Sequence, residues 1–559
     1  MKSNGQVVVV AATPRVWLTR ADRNAEEVIR LSREAAAGGA DIIVFPEMCI
    51  TGATCGDLCR QRVLLDAALK AAGKVACETS GLDITIVIGL PTESAQGWSS
   101  TAAIIRGGKF VEEDPRFVVI TGPEIPQTLP KGTSLALHLS AVPEVVTAHG
   151  RRKRALAELT ARCGCAYAFC PAGYGESTGD AVYAGGALIY SRGALKAEGG
   201  RFLTESSTIE ACVGPADKTV PPGAEEKPRG PVPHPFVPDD PDELAERCAD
   251  ILAIQVTGLR TRLEHIGCSK AVLGISGGLD STLALLVTVR AFDSLGLDRK
   301  GIIAVTMPGF GTSDRTHDNA SALMASLGVT AREIPIGPAV SQHFSDIGHD
   351  PAVHDVTYEN AQARERTQIL MDIANETGGL VVGTGDLSEL ALGWCTYNGD
   401  HMSMYGVNAD VPKTLMQAMV RWAAQSCFPE ARQTLLDIVD TPISPELTPA
   451  DEKGEIAQKT EDIVGPYELH DFFLYHLARH GRSPREIKAL AVEAFEGVYD
   501  RDVIDRWLRK FLWRFFSQQF KRSCSPDSPR VGTVCLSPRG GWAAPSDIGA
   551  DLWVADLDG

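Results

Sequence analysis

The hexapeptide Ser276-Gly277-Gly278-Leu279-Asp280-Ser281 constrains this chain more than any other stretch. It lies between the apolar run Ala271-Val272-Leu273-Gly274-Ile275 and the helical pattern Thr282-Leu283-Ala284-Leu285-Leu286. A buried strand, a glycine turn and a helix start in that order predict an anion cradle. The glycines let backbone N–H groups approach a phosphate, and the helix N-terminus adds the positive end of its dipole. The Gly-Lys-Ser/Thr ending of a Walker loop is absent. On these six residues alone a second reading stays open, a tight turn that merely favours glycine and serine.

Two patterns bound the rest. From Val7 to about Val213, short β-branched runs (Val7–Ala12, Ile42–Phe45, Ile84–Gly89, Ala102–Ile105, Phe117–Ile120, Ala187–Tyr190) alternate with helical segments, which predicts layered α/β structure. A stretch dense in proline, glycine and charge follows. Beyond it, helical spacing over Leu244–Leu263 leads into the glycine loop and a second alternation of strand and helix, as in a doubly wound parallel sheet with a helical tail. The expected organisation is a domain over 1–212, a linker over 213–240 and a domain over 241–559. At 559 residues the chain exceeds one core.

Lys and Arg total 54 against 71 Asp and Glu, a net charge of −17, which argues against nucleic-acid or anionic-membrane binding. No apolar run approaches the ~18 residues of a membrane span, and no secretory signal is seen, so the expected location is cytoplasmic. The fourteen cysteines, including Cys49, Cys55 and Cys59 and the group Cys163, Cys165 and Cys170, lack zinc-type pairing and are expected to be reduced and mostly buried.

The glycine loop resembles the pyrophosphate loop of enzymes that split ATP into AMP and pyrophosphate. The following segments carry the resemblance further: Ile302–Thr312, Tyr358-Glu359-Asn360-Ala361-Gln362-Ala363-Arg364-Glu365-Arg366, Val382-Gly383-Thr384-Gly385-Asp386-Leu387-Ser388-Glu389, Leu392-Gly393-Trp394-Cys395-Thr396-Tyr397-Asn398-Gly399-Asp400 and Gln519-Phe520-Lys521-Arg522-Ser523. Together they are similar to the synthetase domain of the bacterial glutamine-dependent NAD synthetases over about Pro235–Leu552. The resemblance implies ATP-dependent amidation of nicotinic acid adenine dinucleotide through an adenylated carboxylate that ammonia attacks. Asp280 and Glu389 would then hold Mg2+ beside the departing pyrophosphate. Ser276, Gly277, Gly278, Ser281 and Thr384 would contact ATP, and Lys413 would neutralise charge on its phosphates. Asn360, Arg364, Glu389, Trp394, Thr396, Tyr397 and Lys521 would hold the dinucleotide, and Asp400 could orient or deprotonate ammonia. Each residue alone has another reading: a solvated helix face for Arg364 and Arg366, core for Trp394, a helix cap for Glu389. One departure is Ser537-Pro538-Arg539-Gly540-Gly541-Trp542-Ala543, where the family usually has Asp-Trp-Arg after the glycine.

Residues 1 to about 212 resemble the nitrilase-like glutaminase domain of the same family. Val44-Phe45-Pro46-Glu47-Met48-Cys49-Ile50-Thr51-Gly52 and Gly173-Tyr174-Gly175-Glu176-Ser177-Thr178-Gly179-Asp180 carry the likeness, with Glu47 at the general-base position. That chemistry needs a Cys nucleophile, a Glu base and a Lys at the oxyanion. The segment that ends in the family's lysine ends here in Arg116, a poor substitute for a compact ammonium. The loop that follows in the family is missing. Phe117-Val118-Val119-Ile120-Thr121-Gly122-Pro123-Glu124 stands where the family's strand ends in Cys-Glu-Asp, leaving Thr121 or Gly122 at the nucleophile position. Ala53, Val142 and Ala148 replace glutamine-holding groups, while Lys131 and Cys170 are out of place for a rescue. The resemblance therefore implies an inactive glutaminase domain kept as a scaffold in a homo-oligomer, with Glu47 persisting as a buried, hydrogen-bonded group. Three other readings stay open: a synthetase fed by a separate ammonia-supplying protein, a non-catalytic nucleotide-binding regulatory subunit, and amidation of a different acid.

Overall fold

The computed structural model describes residues 6–95, 97–214, 217–220, 230–311, 314–441 and 460–558. Of the expected linker, residues 215–216 and 221–229 lie outside the described residues. The chain divides into two compact units, one made of Met1–Ser177 and Ala181–Glu226, the other of Thr178–Asp180 and Lys227–Gly559.

The first unit runs β1 (Val7–Thr13), α1 (Ala21–Ala37), β2 (Ile42–Val44), α2 (Arg62–Glu78), β3 (Thr85–Ser94), β4 (Gly97–Arg106), β5 (Lys109–Val111), β6 (Val118–Thr121), β7 (Leu135–Ser140), α3 (Ala148–Cys163), β8 (Ala166–Pro171), β9 (Leu188–Ser191), β10 (Ala194–Glu198) and β11 (Ser207–Val213). These strands form two sheets, ordered β11-β1-β2-β3-β4-β5 and β10-β9-β8-β7-β6. Strand β1 shows why they stack. Val8, Val10 and Ala12 pack with Val28 and Val75 of α1 and α2, whereas Val9 and Ala11 pack with Leu137, Ala168 and Ile189 of the other sheet. A strand buried on both faces reads as an unbroken apolar run. Helix α3 covers the outer face of the second sheet through Leu156 and Leu159. The result is the expected α/β sandwich of four layers, α-β-β-α.

The second unit runs α4 (Pro241–Ile266), β12 (Ala271–Gly274), α5 (Leu279–Leu295), β13 (Ile302–Thr306), α6 (Asp314–Leu327), β14 (Thr330–Glu333), α7 (Gly337–Ile347), α8 (Val356–Thr377), β15 (Leu380–Gly383), α9 (Leu387–Leu392), β16 (Tyr405–Gly406), α10 (Lys413–Ser426), α11 (Arg432–Val439), α12 (Thr460–Val464), α13 (Tyr467–Leu474), α14 (Pro484–Ala494), α15 (Arg501–Ser517), α16 (Gln519–Arg522) and α17 (Asp551–Ala555). Helix α4 starts where Asp240 accepts from the amides of Asp242 and Glu243 with Pro241 in the first turn, and stops at Gly267 in the left-handed region. All paired strands are parallel, in the order β14-β13-β12-β15-β16. The doubly wound sheet expected from sequence is thus present. Its strand order reverses between β12 and β15, the crevice where such sheets bind ligands. Among the described residues no helix is long and apolar enough to cross a membrane.

Candidate active site

Both segments that leave the switch point carry predicted site residues. After β12 the chain turns through Ser276–Gly278 into α5. Gly277 has φ +87°, and a Cβ there would lie 2.1 Å from the Thr316 carbonyl oxygen, so only glycine fits. Ser276 Oγ accepts from the Gly278 amide (3.1 Å), and Ser281 Oγ donates to the Gly278 carbonyl (3.2 Å). Gly278 caps α5 without a side chain, which leaves the first amides of the helix available to an anion. After β15, Thr384 and Gly385 lead to Asp386, whose Oδ1 caps α9 by accepting from the Glu389 amide (2.7 Å). Buried Asn408 donates to the carbonyls of Asp280 (2.9 Å) and Thr384 (3.1 Å), and Gln255 donates to Asn408 Oδ1 (3.0 Å). One side chain therefore ties the two loops together.

The charged centre lies where α5, α9 and α10 begin. Lys413 Nζ is 2.7 Å from Asp280 Oδ1, 2.6 Å from Asp386 Oδ2 and 3.1 Å from Glu389 Oε1. Burial works against the Lys413 ammonium, but the three carboxylates outweigh it and hold its pKa well above the ordinary range. Burial, with Lys413 opposing, raises both Asp386 and Glu389. Three acids against one base leave excess negative charge in a largely dry place. Oxygens of Asp280, Asp386 and Glu389 lie within 4.8 Å of one another, and the buried Oδ2 of Asp386 faces the Lys413 ammonium. An all-oxygen, anionic set of this kind suits a hard divalent cation such as Mg2+.

A cavity of about 670 Å³ adjoins this centre and takes in Ser276, Asp280, Ser281, Thr384 and Glu389 together with Asn360, Trp394, Thr396, Tyr397, Asp400 and Lys521. Thr396 Oγ1 donates to Asn360 Oδ1 (2.7 Å), and its amide donates to Asp400 Oδ1 (2.7 Å). Lys521 Nζ donates to the carbonyls of Gly393 (2.8 Å) and Cys395 (2.7 Å). The Arg514 guanidinium lies 5.2 Å from the Trp394 ring.

Three of the predicted binding residues do not line the cavity: Gly277, which packs against the Thr316 carbonyl, Arg364 and Lys413. Arg364 is exposed and donates to the Tyr397 carbonyl (3.3 Å), while Arg366, one helical half-turn on, lines the cavity. Lys413 is only 1% exposed and does not line the cavity; its ammonium meets the carboxylates beneath it. Asp386 is the residue that sequence reasoning missed, although it stands inside a quoted motif. At the departure from the family pattern, a Cβ on Gly541 would lie 2.4 Å from the Cys535 carbonyl oxygen, and the Trp542 amide donates to that same oxygen (2.9 Å). This turn has no room for the family's acid.

Among the described residues of the hydrolase-like unit no comparable acid cluster is found. Thr121 is exposed at the end of β6, the edge strand of its sheet, and no helix lies between β6 and β7. The sequence expectation for Arg116 needs correction. Its guanidinium is bound to Asp114 (2.6 and 2.9 Å) and to Thr85 Oγ1 (2.5 Å). Thr85 begins β3, whereas Glu47 packs against Gly89 four residues on, about 13 Å along the strand at ~3.3 Å per residue. Arg116 is therefore at the wrong end of the sheet, because the shortened chain returns directly into β6. Glu47 is also not the hydrogen-bonded acid expected. It is partly exposed, and among the described residues its carboxylate takes no hydrogen bond. Glu176, by contrast, is buried and accepts from the Ala53 amide (2.8 Å), the Thr54 amide (2.9 Å) and the Thr54 hydroxyl (2.6 Å). Cys170 is buried with its thiol against the Ala12 and Val44 carbonyls, burial raises its pKa, and Lys131 is exposed. Neither is placed for nucleophilic chemistry.

Comparison with known proteins matches two stretches of the chain to two families. The family described as NAD synthase matches residues 251–501, and that described as carbon-nitrogen hydrolase matches residues 6–123, ending two residues past Thr121. The solved glutamine-dependent NAD(+) synthetase of Cytophaga hutchinsonii shares the fold at TM-score 0.80 and 17% identity, covering 99% of this chain and 100% of that one. The one from Acinetobacter baumannii, in complex with ADP, gives TM-score 0.63 and 21% identity over 95% and 97%. The glutamine-dependent NAD(+) synthetase of Mycobacterium leprae is 34% identical over 668 aligned positions, covering 100% of this chain and 98% of the relative. That alignment is longer than the 559 residues here, so the relative carries insertions this chain lacks. Identity of this extent along the full length means that the chain belongs to the family of glutamine-dependent NAD(+) synthetases.

Proposed function

We propose that this protein forms NAD from nicotinic acid adenine dinucleotide, ATP and ammonia, and that its hydrolase-like unit no longer releases ammonia from glutamine. Membership of an ATP-dependent amide-forming family supports the reaction class. The single observation that carries the nitrogen source is the lost nucleophile site: Thr121 on an exposed edge strand, with Arg116 bound to Asp114 at the far end of the sheet. Relatives named for glutamine dependence stand against this reading, and the missing groups outweigh the name, because amide hydrolysis by this chemistry needs a covalent nucleophile.

Each residue then has a task. The Ser276–Ser281 loop and the first amides of α5 hold the phosphates of ATP, while Thr384 lies on the facing loop. The substrate carboxylate attacks the α-phosphorus, pyrophosphate leaves, and ammonia displaces AMP from the acyl carbon. Asp280 and Glu389, joined by Asp386, would hold Mg2+, which when bound neutralises charge on the departing pyrophosphate. Lys413 balances these acids when the pocket is empty and fixes where they stand. Asn360, Trp394, Thr396, Tyr397 and Lys521 form the dinucleotide end of the cavity, and Asp400 opens on it as acceptor for the proton ammonia loses. Other members of this reading, a homo-oligomer and a scaffolding role for the hydrolase-like unit, rest on the family resemblance.

The test is NAD and AMP formation by the purified chain with ATP, Mg2+ and nicotinic acid adenine dinucleotide, given ammonium or glutamine. Turnover with ammonium and none with glutamine is expected. Equal turnover with glutamine would refute the lost-glutaminase reading, and no turnover with either would refute the synthetase reading.

A further inference from the structure

Helix α10 begins without a capping side chain of its own, since its N-cap is Pro412. Its first two amides are satisfied by other elements. The Lys413 amide donates to Ser388 Oγ of α9 (2.8 Å), and the Thr414 amide donates to Asp471 Oδ2 of α13 (3.0 Å). Ser388 Oγ in turn donates to Asp471 Oδ1 (2.5 Å), and the Thr414 hydroxyl donates to Asp471 Oδ2 (2.7 Å). Asp471 thus spends both oxygens on joining the start of α10 to the start of α9, and both it and Ser388 are 1% exposed. One turn earlier on α13, the Tyr467 ring lies 5.3 Å from Lys413 Nζ. An anionic carboxylate at a helix N-terminus is favourable in its own right, but a serine or aspartate at position 412 would cap α10 as well. What a local cap could not do is fix Lys413, the first residue of α10, relative to Asp386 and Glu389 at the start of α9.

We infer that Asp471 is a positioning residue for the synthetase reaction: from α13 it caps α10 in trans and, through Ser388, sets the register of Lys413 against Asp386 and Glu389. The inference rests on the proposed role of Lys413. Misplacing a charged group by an ångström in such a centre costs about a hundredfold in rate, whereas groups that bind substrate are not touched.

The test uses the full-length protein, with AMP formation followed in single turnover and steady state, for Asp471→Asn, Ser388→Ala, Lys413→Met and the double variant Lys413→Met/Asp471→Asn. Asparagine keeps the acceptor for Ser388 but turns an N–H toward the Thr414 amide. The expected result is a kcat for Asp471→Asn lowered by roughly tenfold to a hundredfold, with KM for ATP and for the dinucleotide within about threefold. In the Lys413→Met background the same substitution should change the residual rate by less than about twofold, because the group it positions is gone. A merely structural role would carry its loss into that background and would overturn the inference. A folded Asp471→Asn protein with kcat within about twofold of the parent would do the same. Ser388→Ala serves where Asp471→Asn does not fold, with the same two expectations. A Lys413→Met protein of unchanged rate would refute the role given to Lys413 itself and the inference with it.

Discussion

Gly277→Ala tests the anion cradle most directly. The glycine sits at φ +87°, and an added methyl would meet the Thr316 carbonyl at 2.1 Å to oxygen and 2.9 Å to carbon. The left-handed backbone alone costs about 1–2 kcal/mol with a side chain. The clash is with main chain and cannot be relieved by a rotamer, so the loop has to move away from α6 by about 1.3 Å or more to restore ordinary van der Waals separation. A displacement of that size in a positioning loop lowers rates about a hundredfold, near 2.7 kcal/mol. Gly296 at the other end of α5 separates the two effects. It has φ +66° with nothing within 4 Å of an added Cβ, so Gly296→Ala carries the backbone strain without the clash. Expected from AMP release with ammonium are a kcat/KM for ATP about a hundredfold down in Gly277→Ala and within about twofold in Gly296→Ala, with a small loss of Tm in Gly296→Ala and a larger one in Gly277→Ala. A folded Gly277→Ala protein that keeps kcat/KM within about threefold would refute the cradle.

Further outcomes follow from the same geometry. Glu389→Gln removes one charge from the carboxylate set and should raise the Mg2+ needed for half-maximal rate about tenfold or more, with the rate at saturation down by roughly a hundredfold; an unchanged Mg2+ titration would remove Glu389 from the site. Thr121→Cys should yield no glutamine-dependent NAD formation, since the new thiol would stand on an exposed edge strand with Arg116 bound elsewhere; measurable glutamine use would overturn the account of the lost site. Acid should destabilise the fold through His138 and His470, both held near pKa about 4 by burial, against an ordinary 6.5. Their neutral rings contribute stability that is present in full above about pH 6.5 and is lost as pH falls toward about 4, roughly 3 kcal/mol for each at most. Urea unfolding from pH 7.5 to 5 should show this slope, and His470→Gln should flatten it; equal slopes would rule out His470 as a source.

How far the sequence reaches depends on how local each constraint is. The unbroken apolar run Val7–Ala12 and the strand-turn-helix at Ala271–Leu286 are local, and the sheets form there as expected. Asp386 was equally close at hand but reads as a polar turn residue; its burial follows from Lys413, 27 positions on, which no periodicity reveals. Asn408, Gln255 and Asp471 work across 128, 153 and 83 residues, joining elements only the folded sheet brings together, and carry no motif of their own. Arg116 shows the opposite failure. Its place along the chain matched the family's lysine, but the shortened loop moved it along the sheet, and matching a position in sequence says nothing about such a shift.

His138 bears on the proposal that the hydrolase-like unit is inactive. Its Nε2 donates to the Gly122 carbonyl (2.8 Å), and its Nδ1 accepts from the Tyr167 hydroxyl (2.8 Å); a carbonyl can only accept, which fixes the neutral tautomer. The ring is fully buried, edge-on to Tyr167 and Phe169. It clamps the residue after Thr121 against β7, in the turn where a nucleophile would have to project into a pocket. On that proposal, hydrolysis would require releasing this clamp, rebuilding the missing segment before β6 and bringing a cation to the Glu47 end of the sheet, three changes that no single substitution supplies. The synthetase unit differs because its charged groups stand at the starts of three helices held by one another, so that losing one would leave the others buried and unpaired.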